Sequence, residues 1–173
     1  MTMYRLDPSK TLRDPTNGPQ FAMVEVFLLL ACQAGASQLK FATKGEELRI
    51  AEVVDGALYE YPQPPDFLQS PMLDHLRRLF SMSADQTQAE CELQLDNTTA
   101  YARLEFTNGR GAVVTIIRNF DDRVAVSNVL HRFWRDNAAS QGCFVLARYY
   151  TMGALRFMYN AANTLRHPIN LCP

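Results

Sequence analysis

The sequence predicts an α+β protein in which antiparallel strands, in one sheet or two, carry helices on one face. Three observations lead there. Apolar and polar residues alternate with a period of two in six short runs, as half-buried strands require. Hairpin signals join neighbouring runs at Lys44-Gly45-Glu46, Asp55-Gly56 and Asn108-Gly109. Two longer windows, one before each set of three runs, repeat their apolar residues at helical spacing instead. The expected order is α-βββ-α-βββ over residues 20–120, followed by a mainly helical extension over 121–173 that packs on the same core.

Each element has its own warrant. Residues 1–19 hold Pro8, Pro15 and Pro19 among small polar residues and read as a flexible arm. Pro19 suits the first turn of a helix that runs to about Ala34, where Gly35 supplies a left-handed cap. Its face of Phe21, Val24, Phe27, Leu28 and Ala31 is apolar, and its remaining face is hardly polar, so it should be covered on two sides. Strands follow at 37–43, 47–54 and 57–61, the last ended by the prolines of "YPQPP". A second helix extends from about Asp66 to Met82, with Phe67, Met72, Leu76, Leu79 and Phe80 as core candidates. Pro71 favours a main start with Ser70 as N-cap. Cys91, Leu93 and Leu95 alternate in the next strand, Ala102, Leu104 and Phe106 in the one after, and "AVVTIIRN" makes the sixth. Val126, Val129, Leu130, Phe133 and Trp134 then form one helical stripe, and the segment beyond Gly142 is read as mostly helix.

Bulk properties narrow the function. A chain of 173 residues buries roughly 70% of its unfolded surface and needs no staple. The net charge of -1 gathers no phosphates or anionic lipid, and Arg77-Arg78 is the one basic pair, so nucleic acid is not an expected partner. "FAMVEVFLLLACQAGA" is too short to span a bilayer, which takes about 20 residues, and Glu25 interrupts it. The N-terminus has no apolar signal-peptide core, and Cys32, Cys91, Cys143 and Cys172 lie far apart, as free thiols of a cytoplasmic protein do.

Chemical motifs are absent from the sequence. No phosphate-binding loop occurs, and Gly109-Arg110-Gly111 is explained by a hairpin. His75 follows Asp74 directly, and helix neighbours point to different faces, so the two make no dyad. His131 reads as an exposed helix position, and His167 completes a set too scattered to suggest a metal. Ser37, Ser70 and Ser127 stand in no nucleophile elbow. Asp121-Asp122 charges a helix N-terminus favourably. Tyr149-Tyr150, Phe157 and Tyr159 form an aromatic cluster suited to packing or to a partner. No catalytic residue, cofactor or metal is expected.

"LLLACQAGASQLKF" followed by "LRIAEVVDGALYEYPQPP" resembles the segment preceding the motor in the type II secretion and type IV pilus ATPase family. The matching residues are Gly35, Ala36, Ser37, Leu48, Arg49, Ile50, Asp55, Gly56, Leu58 and Pro64-Pro65, and the likeness continues through "MLDHLRRLFSMS" and "ARLEFTNGRGAVVTIIRN", over about residues 21–119. The resemblance implies a PAS-like module that packs against neighbouring subunits and whose arginines reach a nucleotide. The family's further basic residues after Leu48 are replaced by Ala51 and Val53, and neither Walker motif nor the acidic and histidine boxes occur, so the motor is missing.

The leading expectation is a non-enzymatic protein-interaction module, binding a protein partner or its own copies, in a secretion or pilus-type assembly. Arg49, Arg103, Arg118, Trp134 and Tyr149 are its candidate interaction residues. A PAS-like small-ligand sensor is one alternative, with Ala102 and Ala112 leaving room between sheet and helices. An enzyme built from distant residues such as His75, Asp55 and Arg103 is the other.

Overall fold

The computed structural model describes residues 2–44, 47–64, 66–96, 98–107, 111–118 and 123–137. Their order is β1 (Thr2–Arg5), α1 (Pro8–Arg13), α2 (Pro19–Ala34), β2 (Gln38–Lys44), β3 (Glu47–Val54), β4 (Ala57–Glu60), α3 (Asp66–Leu79), β5 (Gln88–Leu95), β6 (Thr98–Phe106), β7 (Gly111–Arg118) and α4 (Arg123–Asn137). The strands form a single sheet in the order β1-β5-β6-β7-β2-β3-β4. From α2 to β7 the elements run helix, three strands, helix, three strands. The two triplets are joined where β2 and β7 pair antiparallel, with Phe41 level with Ala112. No helix is long and apolar enough to cross a membrane among the described residues.

Two expectations need correction. The sheet is mixed, because β1 runs parallel to β5 with Tyr4 level with Leu93. And the first residues, read as a flexible arm, form that strand and a helix. Their prolines punctuate the segment: Pro8 opens α1 where no N–H is needed, and the Asp7 side chain caps the helix by accepting from the Lys10 N–H at 3.1 Å. Leu6 is buried in the core.

The helix α2 begins at Pro19 and ends at Gly35, whose φ of 76° is the left-handed cap. The Ala36 N–H reaches back to the Ala31 carbonyl at 2.8 Å, satisfying one of the orphan acceptors of the last turn. Every residue from Phe21 to Cys32 is buried. An apolar helix without a polar stripe must be enclosed, and α1, α3, α4 and β2 all touch it. α3 differs from expectation. It starts at Asp66 and runs unbroken with Pro71 inside, and Phe67, assigned to the core, is 76% exposed. Pro71 withholds a single N–H, the one due to the Phe67 carbonyl, and an exposed first turn leaves that carbonyl to water.

Across the sheet, Leu39, Phe41, Leu48, Ile50, Leu93 and Leu104 are buried on one face, while Arg49, Arg103 and Glu105 are exposed on the other. Ala112 lies level with Phe41 on one side and with Phe106 on the other. The stripe of α4 buries Val126, Val129, Leu130 and Phe133 against the same core. The remainder of the helical extension, with the Tyr149–Tyr159 aromatic cluster, Cys143, Cys172 and His167, lies outside the described residues.

Gly111 opens β7 opposite Ala42 with φ of +134°, and an added Cβ would collide with the Phe41 carbonyl oxygen. The obstacle is backbone in the middle of the sheet, which cannot swing away. Gly111→Ala should therefore cost about 3 kcal/mol in urea denaturation. A change of less than about 0.5 kcal/mol would mean that the β2–β7 junction is looser than this geometry.

Candidate functional site

Glu25 is the one charged residue in the apolar stretch of α2, and its side chain is wholly buried. A carboxylate in such a place requires donors. Three come from the first segment of the chain. The Tyr4 hydroxyl donates to Oε1 at 2.8 Å and the Thr11 hydroxyl to the same oxygen at 2.6 Å, while the Asp7 backbone N–H donates to Oε2 at 2.9 Å. Burial, and then the Glu25 charge, hold the Tyr4 phenol well above its ordinary value of 10.0, so the hydroxyl stays a donor far into alkali.

His75 approaches the same carboxylate from α3, its Nε2 3.8 Å from Oε1. Its ring stacks on Phe21 at 4.5 Å and meets the edge of Tyr4 at 6.5 Å. Nε2 is buried and has no hydrogen-bond partner among the described residues. Tyr4, Thr11, Glu25 and His75 thus form a polar cluster among the described residues, buried except for the half-buried Tyr4. Sequence reasoning missed it. Asp74, considered beside His75, is exposed, and the true neighbour lies on another helix. The available signal was the lone carboxylate in an apolar run.

Above this cluster a cleft of about 600 Å³ opens between the β1–α1 segment and α4. Arg5, Lys10, Arg13 and Arg132 line it together with four aspartates. The charges are largely matched. Asp96, held at φ of 47° in the β5–β6 turn, lies 3.5 Å from both Arg5 and Arg132, and Asp136 lies 3.8 Å from Arg13. An anion entering the cleft competes with these carboxylates.

The expected interaction residues do not converge. Arg103 is bound to Glu90 across the β5–β6 pair at 2.6 Å, which raises its pKa further. Arg49 sits 3.9 Å from Glu47 and from Glu60. Both arginines are on the exposed sheet face, but β7 and β2 separate their strands, a gap of about 14 Å at the usual strand spacing. Arg118 ends β7, and its side chain is not among those described. Trp134, a candidate interaction residue on the α4 stripe, is half-buried against the core and meets Phe133 edge-on at 5.5 Å. Tyr149 lies outside the described residues. The His131 ring is half-buried rather than exposed.

The exposed apolar side chains are elsewhere. Leu58 and Tyr59 project from β4, where all four residues are exposed, and Met3, Phe67 and Ile117 are the other large ones among the described residues. Burial pushes the Cys32 thiol up to about 12 and the Cys91 thiol up to about 11, so neither is a thiolate nucleophile at neutral pH. Among the described residues no group of three or more His, Cys, Asp or Glu side chains is arranged to hold a metal ion. The chain matches no protein-family model and no curated protein.

Glu25→Ala removes one acceptor from three donors and should destabilise the fold by about 3 kcal/mol or more in urea, with amide exchange accelerated first in β1 and α1. Loss of less than about 1 kcal/mol would show that the donors find water instead. Tyr4 supplies a pH signature. The folded state holds its proton more tightly than the unfolded chain, so the associated stability is complete below pH about 10 and is lost as pH rises beyond it. Tyr4→Phe should flatten that alkaline decline, and an unchanged decline would place the titrating group elsewhere.

Proposed function

We propose that this protein is a non-enzymatic interaction module that binds a protein partner through the β3–β4 end of its sheet. One observation carries the reading: the terminal strand β4 is exposed along its whole length and presents Leu58, 55% exposed, and Tyr59, 42% exposed, beside a backbone edge that no described strand pairs with. An apolar, solvent-facing strand edge is a template for another chain. The interior supports the same reading from the other side. Its ionisable cluster is spent on holding the fold, and the buried thiols are unreactive.

The PAS-like reading draws support from the helix–three-strand–helix–three-strand run, and the secretion- and pilus-type setting from the sequence resemblance over residues 21–119. That resemblance includes Leu58 and the Asp55-Gly56 turn that presents it. The small-ligand alternative rests on the cleft between α1 and α4, where a ligand has to displace ion pairs already made. The edge requires no such displacement.

Affinity purification from the source organism tests the proposal. The tagged wild-type chain should retain one defined protein in constant ratio, and the folded double variant Leu58→Asp/Tyr59→Ser should lose at least nine-tenths of it. Recovery of nothing specific, with a protein that also stays monomeric, would remove the reading, as would equal recovery by the variant.

A further inference from the structure

The cleft between the β1–α1 segment and α4 gathers Arg5 from the sheet edge, Lys10 and Arg13 from α1, and Arg132 from α4. Cations from three separate elements meet there, and all of them are exposed. The aspartates beside them are not equivalent partners. Asp7 Oδ1 accepts the Lys10 backbone N–H at 3.1 Å, and Asp14 Oδ1 accepts the Thr16 N–H at 2.9 Å and its hydroxyl at 2.6 Å. Both are committed to their own turns. Asp136 is shared between Arg13 at 3.8 Å and Arg135 at 3.2 Å. Asp96 answers both Arg5 and Arg132, one through each oxygen and each at 3.5 Å. A charge-assisted bond of this kind closes to about 2.7–2.9 Å, and on the open sheet face Arg103 meets Glu90 at 2.6 Å. The pairs in the cleft are loose by comparison. Lys10 forms no ion pair among the described residues.

We infer that this cleft binds the phosphate group of a small anionic molecule, which takes Arg5 and Arg132 over from Asp96 and adds Lys10 and Arg13. The inference goes beyond the edge reading. The cleft adjoins β1, at the opposite end of the sheet from β4, so the two stand or fall separately. Shape selects the phosphate. A carboxylate is planar and offers two oxygens, which is what Asp96 already supplies without closing on either arginine. A phosphate presents three free oxygens in different directions, which guanidinium groups meet through paired N–H donors and a lysine meets as a point charge. Exposed ion pairs contribute little, so exchanging Asp96 for a ligand loses little on the protein side. The Asp96 charge nevertheless stays beside the ligand and opposes it. Asp96 is thus a built-in competitor, held in place by a turn in which its φ is 47°. The cavity of about 600 Å³ has room for an organic body as well, and Leu6 and Val129 give that body apolar surface.

Titration of the full chain with inorganic pyrophosphate at constant ionic strength, followed by amide NMR shifts, tests this. Saturable shifts should gather at residues 5–13, 96 and 129–132, with a dissociation constant of about 1 mM or tighter. Asp96→Asn keeps the turn, because Asn tolerates positive φ as Asp does, and removes the opposing charge. It should tighten binding by about fivefold or more. Lys10→Ala and Arg132→Gln should each weaken binding about tenfold, while Arg49→Ala, near the far edge, should leave it unchanged. Both cleft side chains are exposed, so the folded state of these variants should persist, which an unchanged melting curve verifies. Acetate, which offers only what Asp96 offers, should not compete. Shifts that fail to saturate or that gather elsewhere overturn the inference. So does binding that Lys10→Ala and Arg132→Gln leave intact, an Asp96→Asn protein that binds no more tightly, or acetate that competes as well as pyrophosphate.

Discussion

A carboxylate taken out of water costs several kcal/mol unless its oxygens meet donors. Glu25 is placed where α2 would otherwise be apolar throughout, and nothing on the helix itself supplies a partner. Its three donors all come from residues 4 to 11. That segment has few apolar residues of its own, with Leu6 alone fully buried among its aliphatic side chains. Hydrophobic burial therefore fixes it less firmly than it fixes the central strands. What holds it is the cost of leaving Glu25 unpaired. The same interaction explains why α2 is enclosed on every side: α1 is drawn over it by Thr11 and the Asp7 amide, while His75 and Phe21 close the α3 side by stacking.

Once β1 and α1 are fixed, the charged rim of the molecule follows. β1 becomes the far edge of the sheet, which sets Arg5 beside the β5–β6 turn. Asp96 in that turn adopts a left-handed conformation that a short polar residue tolerates better than most. From there it faces Arg5 and Arg132 at once, linking the sheet edge to α4. The cleft between α1 and α4 is the space left over by this arrangement, and its ion pairs are exposed enough to add little to stability.

The local features of this fold were legible, and the long-range ones were not. Asp55-Gly56 fixed a two-residue turn through its need for positive φ, and Pro19 and Gly35 bounded α2, because each of these signals acts within a few residues. Alternation located the inward side chains of β2, β3, β5 and β6 for the same reason. β1 carries no alternation over four residues, and its partner lies far along the chain, so its pairing left no trace in local pattern. The Glu25–His75 approach joins two helices across the core, and only the oddness of a carboxylate among Val24, Val26 and Phe27 pointed to it.

The two ends of the sheet are treated differently, and that difference bears on function. At the β1 end, hydrogen bonds to Glu25 and ion pairs to Asp96 tie the edge strand down, and α1 follows it directly. At the β4 end the strand is linked to the body of the protein through β3 alone among the sheet strands, with Tyr61 reaching back to Glu52 at 2.5 Å just beyond it. Burial raises the Glu52 pKa while the Tyr61 hydroxyl offsets part of that shift, so even here the polar groups near the core are matched. Among the described residues no strand meets the outer edge of β4, where Leu58 and Tyr59 are exposed. Most buried polar groups of the described residues are paired, with His75 Nε2 and Trp134 Nε1 as exceptions, and the outer edge of β4, which no described strand meets, is where another chain has the most to contribute.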